Sequence, residues 1–130
     1  MNQIIQICIA LSKPSNDNSN DIINQIIKKS LFTDRQIEII LKRKNLSDSQ
    51  FFITKGAFYR QVSQCRDKLL ALCYSWILLR SLGVLRAEDM DVINRLSEQV
   101  SVIKNSDVFP EREEEVVMVI QELLNRICKL

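Results

Sequence analysis

The sequence of 130 residues contains no histidine, and it has only two glycines and two prolines. The absence of histidine excludes imidazole acid–base catalysis, Ser-His and Cys-His nucleophiles, and His-ligated metals or haem. Sandwiches and barrels need many tight turns, and doubly wound folds place several glycines in phosphate-binding loops. Two glycines are too few for either architecture, so we expect an all-α fold.

The four cysteines are widely spaced and form no CxxC pair; they are Cys8, Cys65, Cys73 and Cys128. A thiolate zinc site would need all four to converge, which this spacing gives no reason to expect. We interpret them as buried small apolar side chains in a reducing cytoplasm. The sequence also has no nucleophile–base pair and no glycine-rich phosphate loop. We therefore expect no enzyme activity, no metal and no cofactor.

The sequence shows no targeting or membrane-spanning segment. Its N-terminus lacks the basic start and the small-residue cleavage site of a secretory signal. The most apolar run, residues 69–85, is shorter than the roughly 20 residues that span a bilayer, and it contains Arg80. Apolar residues make up 46% and charged residues 26% of the chain, as in globular domains. We expect one cytoplasmic domain over residues 1–130, without a membrane partner.

The first half of the chain contains two predicted helices and one ambiguous segment. Residues 2–13 fit a strand or a helix, and we favour a helix because a lone strand would have no pairing partner. A polar loop over residues 14–20 leads into a helix over Ile22–Ile27, capped by Asn20 or Asp21. Thr33 and Gln36 form a capping-box pattern that starts the next helix, and Asn45 ends it.

The segment after Thr54 predicts one long helix over residues 55–82, with Gly83 as its C-terminal stop. Apolar residues recur at alternating steps of four and three: Phe58, Val62, Cys65, Leu69, Leu72, Trp76 and Leu79. This spacing is typical of a helix that packs against another helix along its whole length. Such a helix would be about 40 Å long. Its second half is apolar on almost every side, so we expect a partner subunit.

Two further helices are predicted in the last third of the chain. The spacing of Met90, Leu96 and Ile103 indicates one of them, and Pro110 opens the other in its first turn. The acidic residues after Pro110 favour the positive end of that helix. The last helix has a broad apolar face that fits a bundle or a dimer. The residues predicted for a homodimer interface are Leu72, Trp76, Leu79, Ile120 and Leu124.

Charge is distributed unevenly along the chain. Residues 28–68 hold ten Lys/Arg and four Asp/Glu, a net charge of +6. The remaining residues hold eight and twelve, a net charge of −4, so the chain total is +2. A basic block in a near-neutral chain is typical of a polyanion-binding surface, although it can also be a solvated outer face.

The first half of the long helix presents small, aromatic, cationic and amide side chains opposite its apolar positions. Arg60 could contact a guanine edge and Gln64 an adenine or a phosphate. The amides after Thr54 could bind a phosphate, and Gly56 would allow the backbone to approach closely at the start of the helix. The residues predicted to bind double-stranded DNA are Lys42, Arg43, Lys44, Thr54, Lys55, Gly56, Tyr59, Arg60, Ser63 and Gln64.

Two segments resemble helix-turn-helix DNA-binding domains of the sigma-factor region 4, LuxR and archaeal Tfx type. FTDRQIEIILKR is similar to their opening helix, and ITKGAFYRQVSQCRDKL resembles their recognition helix. The resemblance covers about residues 32–69 and implies that Lys55, Tyr59, Arg60 and Ser63 face DNA. Residues 46–53 are about one helical turn too short for the usual supporting helix and turn. Either the supporting helix is reduced to a turn, or the similarity is coincidental.

These observations predict a small all-α domain with a helix-turn-helix-like core and a long helix that contributes to a helical dimer interface. Residues 21–69 would form the DNA-binding part and residues 69–130 the dimerisation part. The expected function is that of a prokaryotic transcriptional regulator that reads duplex DNA through the first half of the long helix. The alternative is a helical protein–protein interaction module whose cations contact an acidic partner and which binds no nucleic acid.

Overall fold

A computed structural model describes residues 22–47, 53–104 and 110–130, and these residues form five α-helices and no strand. The all-α prediction is confirmed for this part of the chain. The predictions for residues 2–20, for the cap at Asp21 and for residues 48–52 lie outside it. The helices are α1 (Ile22–Lys29), α2 (Asp34–Arg43), α3 (Lys55–Ser81), α4 (Ala87–Lys104) and α5 (Pro110–Ile127).

The ends of α2 follow the predicted local signals. The hydroxyl of Thr33 accepts from the Gln36 amide, and the Gln36 side chain accepts from the Thr33 amide, so both bonds of the capping box are present. At the other end Asn45 adopts a φ of 57°, the left-handed conformation that terminates many helices. The Leu46 amide then donates to the Leu41 carbonyl at 2.8 Å.

The long helix α3 runs for 27 residues without a break. Thr54 caps its start, because its hydroxyl accepts from the Ala57 amide at 3.1 Å. Gly83 follows its end with a φ of 78°, and the Val84 amide donates to the Leu79 carbonyl at 2.9 Å. These are the bonds of a Schellman motif, which satisfies the last carbonyl groups of the helix.

The helices pack in two groups. In the first, Ile39 of α2 lies against Val62 and Cys65 of α3, with Ile40 and Phe58 at the edge of the same cluster. In the second, α1 packs against both α4 and α5, which also contact each other. The predicted division at residue 69 groups α1 with α2 and α3, whereas the contacts of α1 are with the C-terminal helices.

The two halves of α3 have different surroundings. We call residues 55–68 the front half and residues 69–81 the rear half. Residues of the front half pack on α2, whereas residues 69–78 are all exposed in the single chain. Tyr74 is 70% exposed, Ile77 64% and Leu70 50%. Among the described helices, α2 alone packs extensively on α3, and it does so on the front half.

The prediction that the cysteines are buried is right for Cys65 and wrong for Cys73 and Cys128, which are exposed free thiols. Cys73 lies on the rear half of α3, where no described helix covers it. Cys128 follows the last residue of α5, next to the end of the chain. Burial of these two side chains would need an additional covering element, which their spacing in the sequence cannot reveal.

Candidate nucleic-acid interface

The front half of α3 is fixed in place by its apolar side. Val62 and Cys65 are buried against Ile39, and the Cys65 thiol lies 3.7 Å from the Gln36 carbonyl oxygen, to which it donates. Burial raises the pKa of the Cys65 thiol, and the positive charge of Lys68 partly offsets that rise. The thiol is therefore neutral near pH 7 and acts as a small packing group.

Lys68 links the start of α2 to α3, a role that sequence reasoning missed. Its ammonium donates to the side-chain oxygen of Gln36 at 2.8 Å and to the Leu31 carbonyl at 2.8 Å. It also lies 5.9 Å from the centroid of the Phe32 ring. Because its charge is already engaged by its own chain, Lys68 contributes little to an outward basic surface.

The outward side of the front half lies opposite these packed residues. The predicted side chains on it are all exposed: Gly56, Tyr59, Arg60, Ser63 and Gln64. Within the described residues, the guanidinium of Arg60 and the amide of Gln64 bond to no other side chain. Asp67, one turn beyond Ser63, is the first carboxylate on this side of the helix. The first three turns thus present donors and a cation, and α3 itself contributes no carboxylate there.

Tyr59 and Phe58 define the edge between the outward side and the packed side. Their rings meet edge to face, with centroids 5.8 Å apart and an interplanar angle of 72°. Phe58 packs on the α2–α3 cluster, whereas Tyr59 is 51% exposed. The half-buried ring of Phe58 therefore supports the exposed ring of Tyr59 and restricts its orientation.

The start of α3 is open to an approaching group. Thr54, Lys55 and Gly56 are exposed, and the first turn contains no acidic residue. The amides of Lys55 and Gly56 precede the first intrahelical hydrogen bond, which runs from Phe58 to the Thr54 carbonyl. A Cβ added to Gly56 would meet nothing within 4 Å, so no packing contact requires glycine at this position.

The three predicted cations at the end of α2 are not equivalent. Lys42 is half-buried, and its ammonium lies 5.8 Å from the centroid of the Phe58 ring. Arg43 and Lys44 are exposed, and Lys44 is the C-cap residue of α2. Lys42 thus brings the end of α2 next to the first turn of α3, and Arg43 and Lys44 remain as the projecting charges.

The predicted dimer-interface residues lie on two helices that do not pack extensively on each other. Leu72 and Trp76 are exposed and Leu79 is half-buried on the rear half of α3. Ile120 and Leu124 are half-buried on α5. Together with Ile77 and Leu78, the three α3 residues form an apolar surface that a second polypeptide could cover.

Comparison with known proteins supplies no family assignment: the chain matches no protein-family model, no curated protein and no solved structure. Across the described ranges, no three His, Cys, Asp or Glu side chains converge to hold a metal ion. None of the described helices combines the length and apolar character needed to cross a bilayer. The case for a function therefore depends on the geometry and charge of α2 and α3.

Proposed function

We propose that this protein binds double-stranded DNA and acts as a cytoplasmic, non-enzymatic transcriptional regulator of a prokaryote. The observation that carries the proposal is the contrast between the two sides of the front half of α3. One side is held on α2 by Val62 and Cys65, and the other presents Arg60 and Gln64, which bond to no side chain of the described residues. A rigid helix with unpaired donors on its outer side suits the major groove, which admits one α-helix.

The proposed contacts divide into positioning and reading. Arg43 and Lys44 would contact phosphates and fix the register of the helix without reading bases. The open amides of Lys55 and Gly56 would add a phosphate contact at the positive end of α3. Arg60 would then reach a guanine edge and Gln64 an adenine edge. Two copies joined through their rear halves would present two such helices.

Titration of duplex DNA at increasing salt concentration tests this function. Fluorescence anisotropy with a labelled mixed-sequence duplex, from 50 to 200 mM NaCl, should give log Kd linear in log salt, because bound cations release counterions. Four phosphate contacts per complex predict a slope of about 3.6. Arg95→Ala, at an exposed cation on α4, is the matched control and should leave the slope unchanged. Absence of binding at 50 mM salt would contradict the proposal and favour an acidic protein partner.

A further inference from the structure

The rear half of α3 contains eleven consecutive residues without a charge, residues 69–79. Seven large apolar side chains in this segment are exposed: Leu69, Leu70, Leu72, Tyr74, Trp76, Ile77 and Leu78. Their exposed fractions correspond to roughly 600–700 Å² of apolar surface. These side chains lie on all sides of the helix; Leu69, Leu72 and Trp76 continue the apolar stripe of the front half. A stable interface covers about 800 Å² on each partner, so one facing helix would cover part of that area and the remainder would come from neighbouring elements.

We propose that two copies of the chain pair through residues 69–79 in antiparallel orientation, about a two-fold axis near Tyr74. A second copy is the occupant favoured by the charges, because a segment without charge offers nothing to a strongly charged partner. The cations at the two ends of the segment both contact groups of their own chain. Lys68 bonds to Leu31 and Gln36, and Arg80 donates to the Leu85 carbonyl at 2.9 Å.

The lengths of the elements favour the antiparallel arrangement. When residue 69 lies opposite residue 79 of the second copy, the C-cap Leu82 of that copy lies opposite residue 66. The apolar positions up to Cys65 are already covered by α2. The α3 helix of the second copy therefore ends, at its Gly83 turn, where the cover by α2 begins, and the two together would cover the whole apolar stripe.

In a parallel pair, the end of one α3 would not coincide with the point where α2 begins to cover the other α3. It would bring the two α2 helices to the same level on the same side of α3, together with the exposed cations Arg43 and Lys44 of both copies. Like charges at close range repel, and the α2 helices would compete for one space. The antiparallel pair instead separates the two α2 helices to opposite ends of the assembly.

The antiparallel pair fixes the distance between the two front halves. Arg60 is 14 residues from the axis, or about 21 Å along α3. For helices 8–10 Å apart that cross at 20–50°, the helix axes at the two Arg60 positions are about 40 Å apart. Because Arg60 lies on the side of α3 opposite the paired stripe, the two Arg60 side chains point away from each other, so the two front halves would contact two separate duplexes. This consequence rests on the proposed function, whereas the pairing does not.

Sedimentation equilibrium and spin-label distances on the DNA-free, full-length protein test the pairing. We expect a mass of twice the 15.1 kDa chain at tens of micromolar. Labels at Arg60→Cys, with Cys8, Cys73 and Cys128 changed to serine, should be about 40–45 Å apart. A distance of about 20–30 Å, expected for parallel helices 8–10 Å apart with both labels on their outward sides, would overturn the arrangement. A monomer would overturn the pairing and assign the segment to a different partner.

Substitutions on the segment separate loss of pairing from loss of folding. Leu72→Lys should give a monomer with unchanged helical circular dichroism, because Leu72 is exposed and lies outside the buried cluster between α2 and α3. Met118→Lys is the matched control, since Met118 is an exposed apolar residue on α5 and its change should leave the dimer intact. Trp76, the single tryptophan, should shift its fluorescence to longer wavelength in the Leu72→Lys monomer. A dimer that survives Leu72→Lys would overturn the assignment of this surface.

The stoichiometry of DNA binding tests the arrangement on DNA separately. Each front half would occupy the major groove of its own duplex, so the dimer should bind two duplexes of about 16 base pairs at saturation and the Leu72→Lys monomer one. Sedimentation velocity with labelled duplex measures this ratio. A dimer with the expected distance that binds no duplex would refute the proposed function and leave the pairing intact. A dimer that binds only one duplex through both copies would refute the antiparallel arrangement.

Discussion

The ammonium of Lys68 lies 2.8 Å from the side-chain oxygen of Gln36, which also accepts a 3.0 Å bond from the Thr33 amide. One buried oxygen thus joins the capping box of α2 to the front half of α3. Gln36 is 7% exposed, so both bonds are largely shielded from water. Together with the apolar contacts of Ile39 with Val62 and Cys65, this connection holds the front half of α3 on α2.

Gln36→Ala should lower the free energy of unfolding by about 1–2 kcal/mol. The change removes the acceptor of both bonds and leaves the Thr33 amide and the Lys68 ammonium without it. Urea unfolding followed by circular dichroism measures the effect. Arg43→Ala is the matched control, an exposed residue of the same helix, and should change stability by less than about 0.5 kcal/mol. Equal losses in the two variants would show that the connection has no stabilising role.

Alanine at the two glycines should change stability in opposite directions. Gly83 has a φ of 78°, so Gly83→Ala should cost about 1–2 kcal/mol from the left-handed backbone alone. Gly56 lies in the first turn of α3, and Gly56→Ala should stabilise the protein by about 0.5 kcal/mol. Neither added methyl group meets an atom within 4 Å, so new contacts do not contribute to the difference in stability between the two variants. Thermal unfolding of the two variants under identical conditions measures both signs.

The same Gly56→Ala variant reports on DNA binding. If a DNA backbone approaches the start of α3 closely, the methyl group should weaken binding although the fold is more stable. Anisotropy titrations on a mixed-sequence duplex would show this as a higher Kd. Unchanged affinity would exclude close approach at Gly56 and would leave the contacts of Arg60 and Gln64 to be tested separately.

Stability should fall above about pH 9 through Cys65. Burial raises the pKa of this thiol from its ordinary value of 9.0, so above that pH the unfolded chain loses the proton while the folded chain keeps it. Ionisation then favours the unfolded state, and the stabilisation present at lower pH decreases. Urea unfolding from pH 7 to pH 10 should show a smaller decline for Cys65→Ala than for the unsubstituted protein. A parallel decline in both would assign the pH dependence to other groups.

Local signals in the sequence predicted the helix ends correctly because their bonds join residues close together in the chain. The Thr33–Gln36 box, the Thr54 cap and the Gly83 stop each involve residues within a few positions of one another. The bonds of Lys68 to Gln36 and Leu31 cross 32 and 37 residues, and no local pattern encodes them. The net charge of residues 28–68 therefore overestimates the positive charge on the outward surface, since Lys68 and Lys42 contact their own chain.

The candidate site was predictable to the extent that helical periodicity decides which side of α3 faces outward. Val62 and Cys65 follow the apolar spacing and are buried, and Arg60 and Gln64 lie opposite them and are exposed. The exposure of Cys73 was not predictable, because it depends on whether another element covers the rear half. An apolar pattern shows that a surface needs covering but not which chain covers it.

Arg60→Ala and Arg43→Ala should affect DNA binding in different ways. Removal of a base contact by Arg60→Ala should reduce the preference for a selected sequence over its scrambled version by about 1–3 kcal/mol. Removal of a phosphate contact by Arg43→Ala should weaken binding to both sequences equally and lower the salt slope by about 1. Both side chains are exposed, so neither change should unfold the protein. The test compares Kd for a duplex selected from a random pool with Kd for its scrambled version, in each variant. If both substitutions weaken both duplexes to the same extent, Arg60 contacts the phosphate backbone and the front half of α3 does not read bases through it.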